Sequence, residues 1–212
     1  MKNIVCFGDS NTHGYDAQTG GRFPRDIRWT GKLQQLLGPG YYVIEEGLSG
    51  RTTVFDDPLY EGLNGLTAVT PCLLSHEPVD LLIIMLGTND VKARFSCSPA
   101  NISRGLERLI QKALATKEAW REKGNILVIC PPPIEPEYAS TSIGNEMGPE
   151  CDLKSSLLPP LYEVIAKQYG CHFLDAGQLN GIKMNAIDFM HLTSASHEIL
   201  AGKLADLLPS LI

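Results

Sequence analysis

The chain has 212 residues, 43% of them hydrophobic and 20% charged, the balance of one globular domain with a sizeable core and not that of a disordered, fibrous or membrane-embedded chain. A formal net charge of −6 at pH 7, with Lys and Arg scattered, supplies no basic field for nucleic acid or anionic lipid. Small uncharged or modestly charged substrates fit better.

In chain order, Met1-Lys2-Asn3 runs directly into Ile4-Val5-Cys6-Phe7. That apolar run is too short for a secretory signal, so a cytoplasmic location is expected and Asn101-Ile102-Ser103 is a chance glycosylation sequon. A first strand is expected over residues 3–7, ending in Gly8-Asp9-Ser10. A helix follows over 29–37, stopped by Gly38-Pro39-Gly40. The second strand, 42–45, leads into Gly47-Leu48-Ser49-Gly50 and an irregular stretch over 51–65. The third, 81–86, ends in Gly87-Thr88-Asn89-Asp90.

From Pro99 onward, Ile102, Leu106, Leu109, Ile110, Ala113 and Trp120 mark the apolar face of a long helix. The fourth strand is expected over 126–130. The Pro-rich stretch 131–136 and the polar stretch 140–150 read as one long loop that shapes a substrate entrance. A fifth strand is expected over 171–174. After Asp188-Phe189-Met190-His191, a last helix spans 194–208, with Thr193 as its N-cap and Ile199, Leu200, Leu204 and Leu207 facing inward. Apolar strands alternating with amphipathic helices describe a parallel sheet covered on both faces. Six cysteines, Cys6, Cys72, Cys97, Cys130, Cys151 and Cys171, contain no C-x-x-C pair, so neither a zinc site nor a disulfide framework is indicated.

In such a sheet, ligands bind beyond the carboxyl ends of the strands, and those ends hold the informative residues. A serine hydroxyl needs an imidazole to take its proton and a carboxylate to hold that imidazole; Ser10, His191 and Asp188 supply the three groups. The oxyanion of a tetrahedral intermediate needs aimed donors, for which the Ser10 N–H, the Gly50 N–H and the Asn89 amide are candidates. Singly these are weak signals, since Gly-Asp-Ser is a common turn or cap and Asn89 could be an Asx turn. Their common placement after strands, and before the last helix, favours catalysis. No G-x-G-x-x-G follows the first strand, and neither G-x-x-x-x-G-K-[ST] nor G-x-S-x-G occurs, so dinucleotide, phosphate-loop and nucleophile-elbow chemistries lose their support.

The four segments, GDS, the block with Gly50, GTND and D-x-x-H, resemble the blocks of the SGNH (GDSL) hydrolases in order and across essentially the whole chain. Phe7-Gly8-Asp9-Ser10, Arg28-Trp29-Thr30-Gly31, Glu45-Glu46-Gly47-Leu48-Ser49 and Pro131-Pro132-Pro133 are similar to the arylesterase and perhydrolase branch. The resemblance implies a three-layer α/β/α, flavodoxin-like domain over residues 1–212, with a five-stranded parallel sheet in the order 2-1-3-4-5. It implies Ser10 as nucleophile, Asp188 and His191 as its partners, and Ser10, Gly50 and Asn89 as the oxyanion hole, without metal or organic cofactor.

The implied activity is hydrolysis of short acyl esters through an acyl-Ser10 intermediate, with transfer to alcohols or peroxide. A carbohydrate or natural-product O-deacetylase and a silent binding module are the alternatives. Gly50 stands where a branch member has alanine, and Asn11-Thr12-His13-Gly14-Tyr15 departs from a Trp-rich pattern. Asp9, His13, Trp29 and Phe55, with Phe95, are candidates to line the substrate pocket; His76, His172 and His197 are expected to be structural or solvated. The branch also implies a homo-oligomer.

Overall fold

The computed structural model describes all 212 residues. Its principal sheet contains β1 Lys2–Gly8, β2 Tyr41–Gly47, β3 Leu81–Met85, β4 Ile126–Cys130 and β5 His172–Asp175. All four pairings are parallel, in the spatial order β2-β1-β3-β4-β5. The expected order and strands are therefore present, with ends shifted by one or two residues. The helices are α1 Ser10–His13, α2 Trp29–Leu37, α3 Gly65–Ser75, α4 Pro99–Ala115, α5 Ser142–Met147, α6 Cys151–Ser156, α7 Leu158–Gln168 and α8 Ser194–Leu207.

Side chains alternate across a strand, and here both faces are apolar. Val5, Phe7, Leu82, Ile84 and Val128 pack beneath α3, α4 and α7. Ile4, Cys6, Leu81, Ile83 and Leu127 pack beneath α2 and α8. This double burial is why the strands read as continuous apolar runs. The Thr193 hydroxyl accepts from the Ser196 N–H at 3.1 Å, giving α8 its N-cap.

Two expectations differ from the structure. Trp120 lies beyond α4, which ends at Ala115; the chain turns at Thr116, and the indole N–H donates to the Ala113 carbonyl at 3.1 Å. Trp120 is buried, but by a return of the chain and not by helical periodicity. The stretch 140–150 also contains α5, whose six residues are too few and too polar to show an apolar period. Tertiary contact holds it: the Tyr138 hydroxyl donates to the Gly148 carbonyl at 2.7 Å and accepts from the Cys151 N–H at 3.0 Å.

The glycines at the sheet's carboxyl end bring α1 onto the strands. Gly8 and Gly47 are neighbours in the β1–β2 register. A Cβ on Gly47 would lie 2.1 Å from the His13 nitrogen, so only glycine permits this approach.

His197 on α8 is fully buried, accepts the Trp29 N–H at 3.3 Å on Nδ1 and meets Phe23 edge-on. Burial, with the charges of His191 and Arg28, lowers its pKa to about 4. The unfolded chain therefore binds a proton near pH 6.5 that the folded chain refuses until about pH 4, and this group's contribution to stability falls as pH drops across that window. In urea unfolding from pH 7 to pH 4, wild type should lose about 3 kcal/mol more than His197→Gln; parallel curves would show that the buried imidazole carries no such linkage.

Candidate active site

Ser10 opens α1, directly after β1. The Asp9 carboxylate caps that turn by accepting the Asn11 N–H at 2.9 Å. The Ser10 hydroxyl lies 2.8 Å from His191 Nε2, and His191 Nδ1 lies 2.7 Å from Asp188 Oδ2. Ser10 is 181 residues from His191 in sequence, yet it forms one line with His191 and Asp188 at the carboxyl end of the sheet.

The Asp188–His191 turn is held tightly. Asp188 Oδ1 accepts from the Asn185 amide at 2.9 Å and from the Met190 and His191 N–H groups at 3.1 Å each. Burial alone would raise this carboxyl; the hydrogen bond and charge of His191, with the Met190 N–H and the Asn185 amide, outweigh it and bring the pKa down to about 2. An ionised carboxylate only accepts, so the proton between the two side chains sits on His191 Nδ1 and Nε2 is left to accept from Ser10. Phe189 adopts φ 59°, a left-handed conformation that costs an ordinary residue about 1–2 kcal/mol. The surrounding hydrogen bonds hold it there.

Ser10, Gly50, Asn89, Asp188 and His191 all face one cleft of about 740 Å³. Gly50 adopts φ +86° and its N–H has no protein acceptor. A side chain there would be strained and would meet Leu63. The Asn89 amide donates to the Arg51 carbonyl at 3.2 Å, which fixes its direction. Arg51 is itself clamped, with its guanidinium on the Gly8 and Glu46 carbonyls and 4.1 Å from the Phe7 ring centroid. Behind Asn89, Asp90 is fully buried and accepts from the Thr53 N–H at 2.9 Å and from the Thr53 hydroxyl.

A model of the GDSL-like lipase/acylhydrolase family matches residues 6–199. The chain belongs to that family. Among solved structures, this GDSL hydrolase is similar to the M. smegmatis aryl esterase, with 37% identity, full coverage of both chains and a TM-score of 0.89. It is similar to Est24, a carbohydrate acetylesterase from Sinorhizobium meliloti, with 35% identity, full coverage of both and a TM-score of 0.90. It also matches an acetylxylan esterase of Xylanibacter ruminicola at 27% identity over 187 residues, covering 81% of this chain and 35% of that protein. The GDSL hydrolase thus spans about a third of that relative's length.

The candidate pocket residues do not line the cleft. Asp9 is wholly buried and serves as the cap of α1; burial raises its carboxyl to about 6 against the pull of the Asn11 N–H, His191 and Arg51. Trp29 is wholly buried in the core on the opposite face of the sheet. His13 is half-buried outside the cleft lining, and its backbone carbonyl accepts from Arg22 Nε at 2.7 Å. Phe55 stacks on Phe95, with ring centroids 5.6 Å apart, outside the lining. Aromatic character alone could not tell packing from lining, because both bury apolar area.

The residues that do wall the cleft come from the two irregular stretches. Tyr60 and Leu63 enter from 51–65, and Ile143, Glu146 and Met147 from α5. Tyr15, from the stretch that departs from the Trp-rich pattern, lines the cleft with its ring centroid 4.6 Å from that of His191. Two further roles escaped sequence reasoning. Asn185 orders the aspartate turn. Asn11 donates to the Met190 carbonyl at 3.1 Å and accepts the Leu192 N–H at 2.9 Å, joining the serine helix to the histidine turn. The asparagine after Gly-Asp-Ser was the available signal for this last role, since a short amide can bridge two backbones.

Proposed function

We propose that this GDSL hydrolase is a serine esterase acting on short acyl esters through an acyl-Ser10 intermediate. The observation that carries the reading is the unbroken Ser10–His191–Asp188 relay, 2.8 and 2.7 Å long, opening on a cleft. His191 Nε2 takes the Ser10 proton as the hydroxyl attacks the ester carbonyl, and Asp188 stabilises the imidazolium formed. The Ser10 and Gly50 N–H groups and the Asn89 amide receive the oxyanion. His191 returns the proton to the leaving alcohol, and water attacks acyl-Ser10 by the same steps in reverse. Hydrolysis of p-nitrophenyl acetate, with a fluorophosphonate adduct mapped to Ser10 by mass spectrometry, tests the reading; an adduct on another residue would overturn it.

Asn89 should matter more to the transition state than to substrate binding, because its amide is aimed at charge that develops only during attack. Asn89→Ala is expected to lower kcat by about 10²- to 10³-fold with a smaller change in KM. A change confined to KM would remove Asn89 from the oxyanion hole.

The alcohol portion of the substrate has a polar wall to meet. Tyr60, Glu61, Lys92, Ser142 and Glu146 contribute donors and acceptors to the cleft, and Lys92 is held near Asp57 Oδ2 at 3.5 Å. Such a wall suits a hydroxylated leaving group, and the likeness to carbohydrate acetylesterases supports O-acetylated sugars as substrates. A higher kcat/KM for acetylated sugars than for p-nitrophenyl acetate is expected; the reverse ranking would leave the plain short-chain esterase.

Transfer of the acetyl group to alcohols or peroxide is part of the same proposal, because the apolar side of the cleft, with Leu63, Ile143 and Met147, favours an organic acceptor over water. With a primary alcohol near 1 M, water holds a concentration advantage of about 2 kcal/mol. Ester formed in excess of the alcohol-to-water molar ratio is the expected result, and a product split that follows the ratio would exclude preferential transfer. Leu59, Tyr60 and Ile187 are exposed at the cleft mouth, and a neighbouring subunit covering them would fit the proposed homo-oligomer, whose mass sedimentation measures.

A further inference from the structure

A second cluster of reactive side chains lies at the edge of the sheet, away from the relay. Glu46 is the penultimate residue of β2, the edge strand; Cys72 lies in the last turn of α3, and His76, four residues on, is the C-cap of that helix. Residues four apart on a helix share a face, and here that face is turned to Glu46. The sulfur, one ring nitrogen and one carboxylate oxygen all lie within 4.8 Å of one another. We propose that Glu46, Cys72 and His76 form a binding site for a divalent cation of the Zn²⁺ class, with three protein ligands and a fourth position open to water.

The donor chemistry selects the ion. A thiolate, an imidazole and one carboxylate suit Zn²⁺ and its surrogate Co²⁺, whereas Mg²⁺ and Ca²⁺ take oxygen ligands. The thiolate and carboxylate together offset the charge of a dication. Tetrahedral binding puts the ligand atoms about 2.0–2.3 Å from the ion. His76 Nε2 and Glu46 Oε1 are already 2.7 Å apart, and their side chains keep 28% and 31% of their surface, so each can turn about a cation that enters from solvent.

Cys72 is also set apart from the other thiols. Cys97, Cys151 and Cys171 each donate to a backbone carbonyl, and Cys6 and Cys130 are wholly buried in the core. Cys72 is half-buried and its sulfur has no hydrogen-bond partner. Sequence alone hid the site because Cys72 and His76 lack a C-x-x-C partner and the third ligand comes from another element. A bound ion would tie the edge strand to α3.

Full-length protein stripped with a chelator and titrated with Co²⁺ tests the site. One equivalent should bind, with a sulfur-to-cobalt charge-transfer band that disappears in Cys72→Ser. His76→Gln and Glu46→Gln, at half-exposed positions, should each weaken Zn²⁺ binding by about tenfold or more. At a Zn²⁺ concentration about a hundredfold above Kd, the wild-type Tm should rise by about 5 °C or more, and that of Cys72→Ser should not. No Co²⁺ binding by wild type, a charge-transfer band that survives Cys72→Ser, or unchanged affinity in both His76→Gln and Glu46→Gln would overturn the proposal.

Discussion

Ser10→Ala is expected to abolish esterase turnover, with kcat falling on the order of 10⁴-fold or more, while the fold persists. The hydroxyl's partner is His191 Nε2 at 2.8 Å. Removing it takes away the attacking atom and leaves the imidazole facing the cleft, where water can replace the lost bond. The turn that carries Ser10 does not depend on the hydroxyl: it is held by the Asp9 cap and by the contacts of Asn11 with Met190 and Leu192. Unfolding free energies in urea within about 0.5 kcal/mol of wild type should therefore accompany the loss of activity. Residual turnover above a tenth of wild type would reject Ser10 as nucleophile and place the attacking group elsewhere in the protein.

Asp188→Asn is expected to have an effect of similar size for a different reason. In wild type the carboxylate accepts the His191 Nδ1 proton at 2.7 Å and leaves Nε2 free to accept from Ser10. An amide presenting its NH₂ to Nδ1 would reverse the tautomer, and Nε2 would then carry a proton when attack requires a lone pair. A loss of about 10⁴-fold in kcat follows from this change alone, with substrate binding little affected. Because the Asp188 pKa is brought down to about 2, the wild-type pH–rate profile should show no inflection from this carboxylate between pH 3 and pH 5. An inflection in that range would mean that the carboxylate titrates during turnover. The same depressed pKa stabilises the fold above about pH 4, and this contribution fades as pH falls toward 2.

Asn185 connects the two results. Its amide donates to Asp188 Oδ1 and to the His191 carbonyl at 2.9 Å each, and its side-chain oxygen accepts the Ile187 and Asp188 N–H groups. One side chain thus sets the direction of the carboxylate that sets the tautomer of the histidine. The strained φ of Phe189 is stabilised by the same network.

By itself the sequence determined the layered α/β architecture and the strand order of the sheet, the second through a family resemblance. The apolar strands had to be covered on both faces, and glycine had to stand at the end of β2, because a backbone approaching α1 as closely as Gly47 does admits no side chain. It also singled out Ser10, Gly50, Asn89, Asp188 and His191, since short motifs at strand ends carry their chemistry in local order. The cleft was decided by tertiary structure. Tyr15 reaches His191, and Glu146 reaches the cleft from α5, through contacts between segments distant in the chain, and no local period encodes which side of an irregular stretch faces inward. For the same reason Trp29 and Phe55, apolar and near the motifs in sequence, turned to the core and to Phe95. Burial of apolar area is satisfied equally by core or pocket; only the packed fold decides between them.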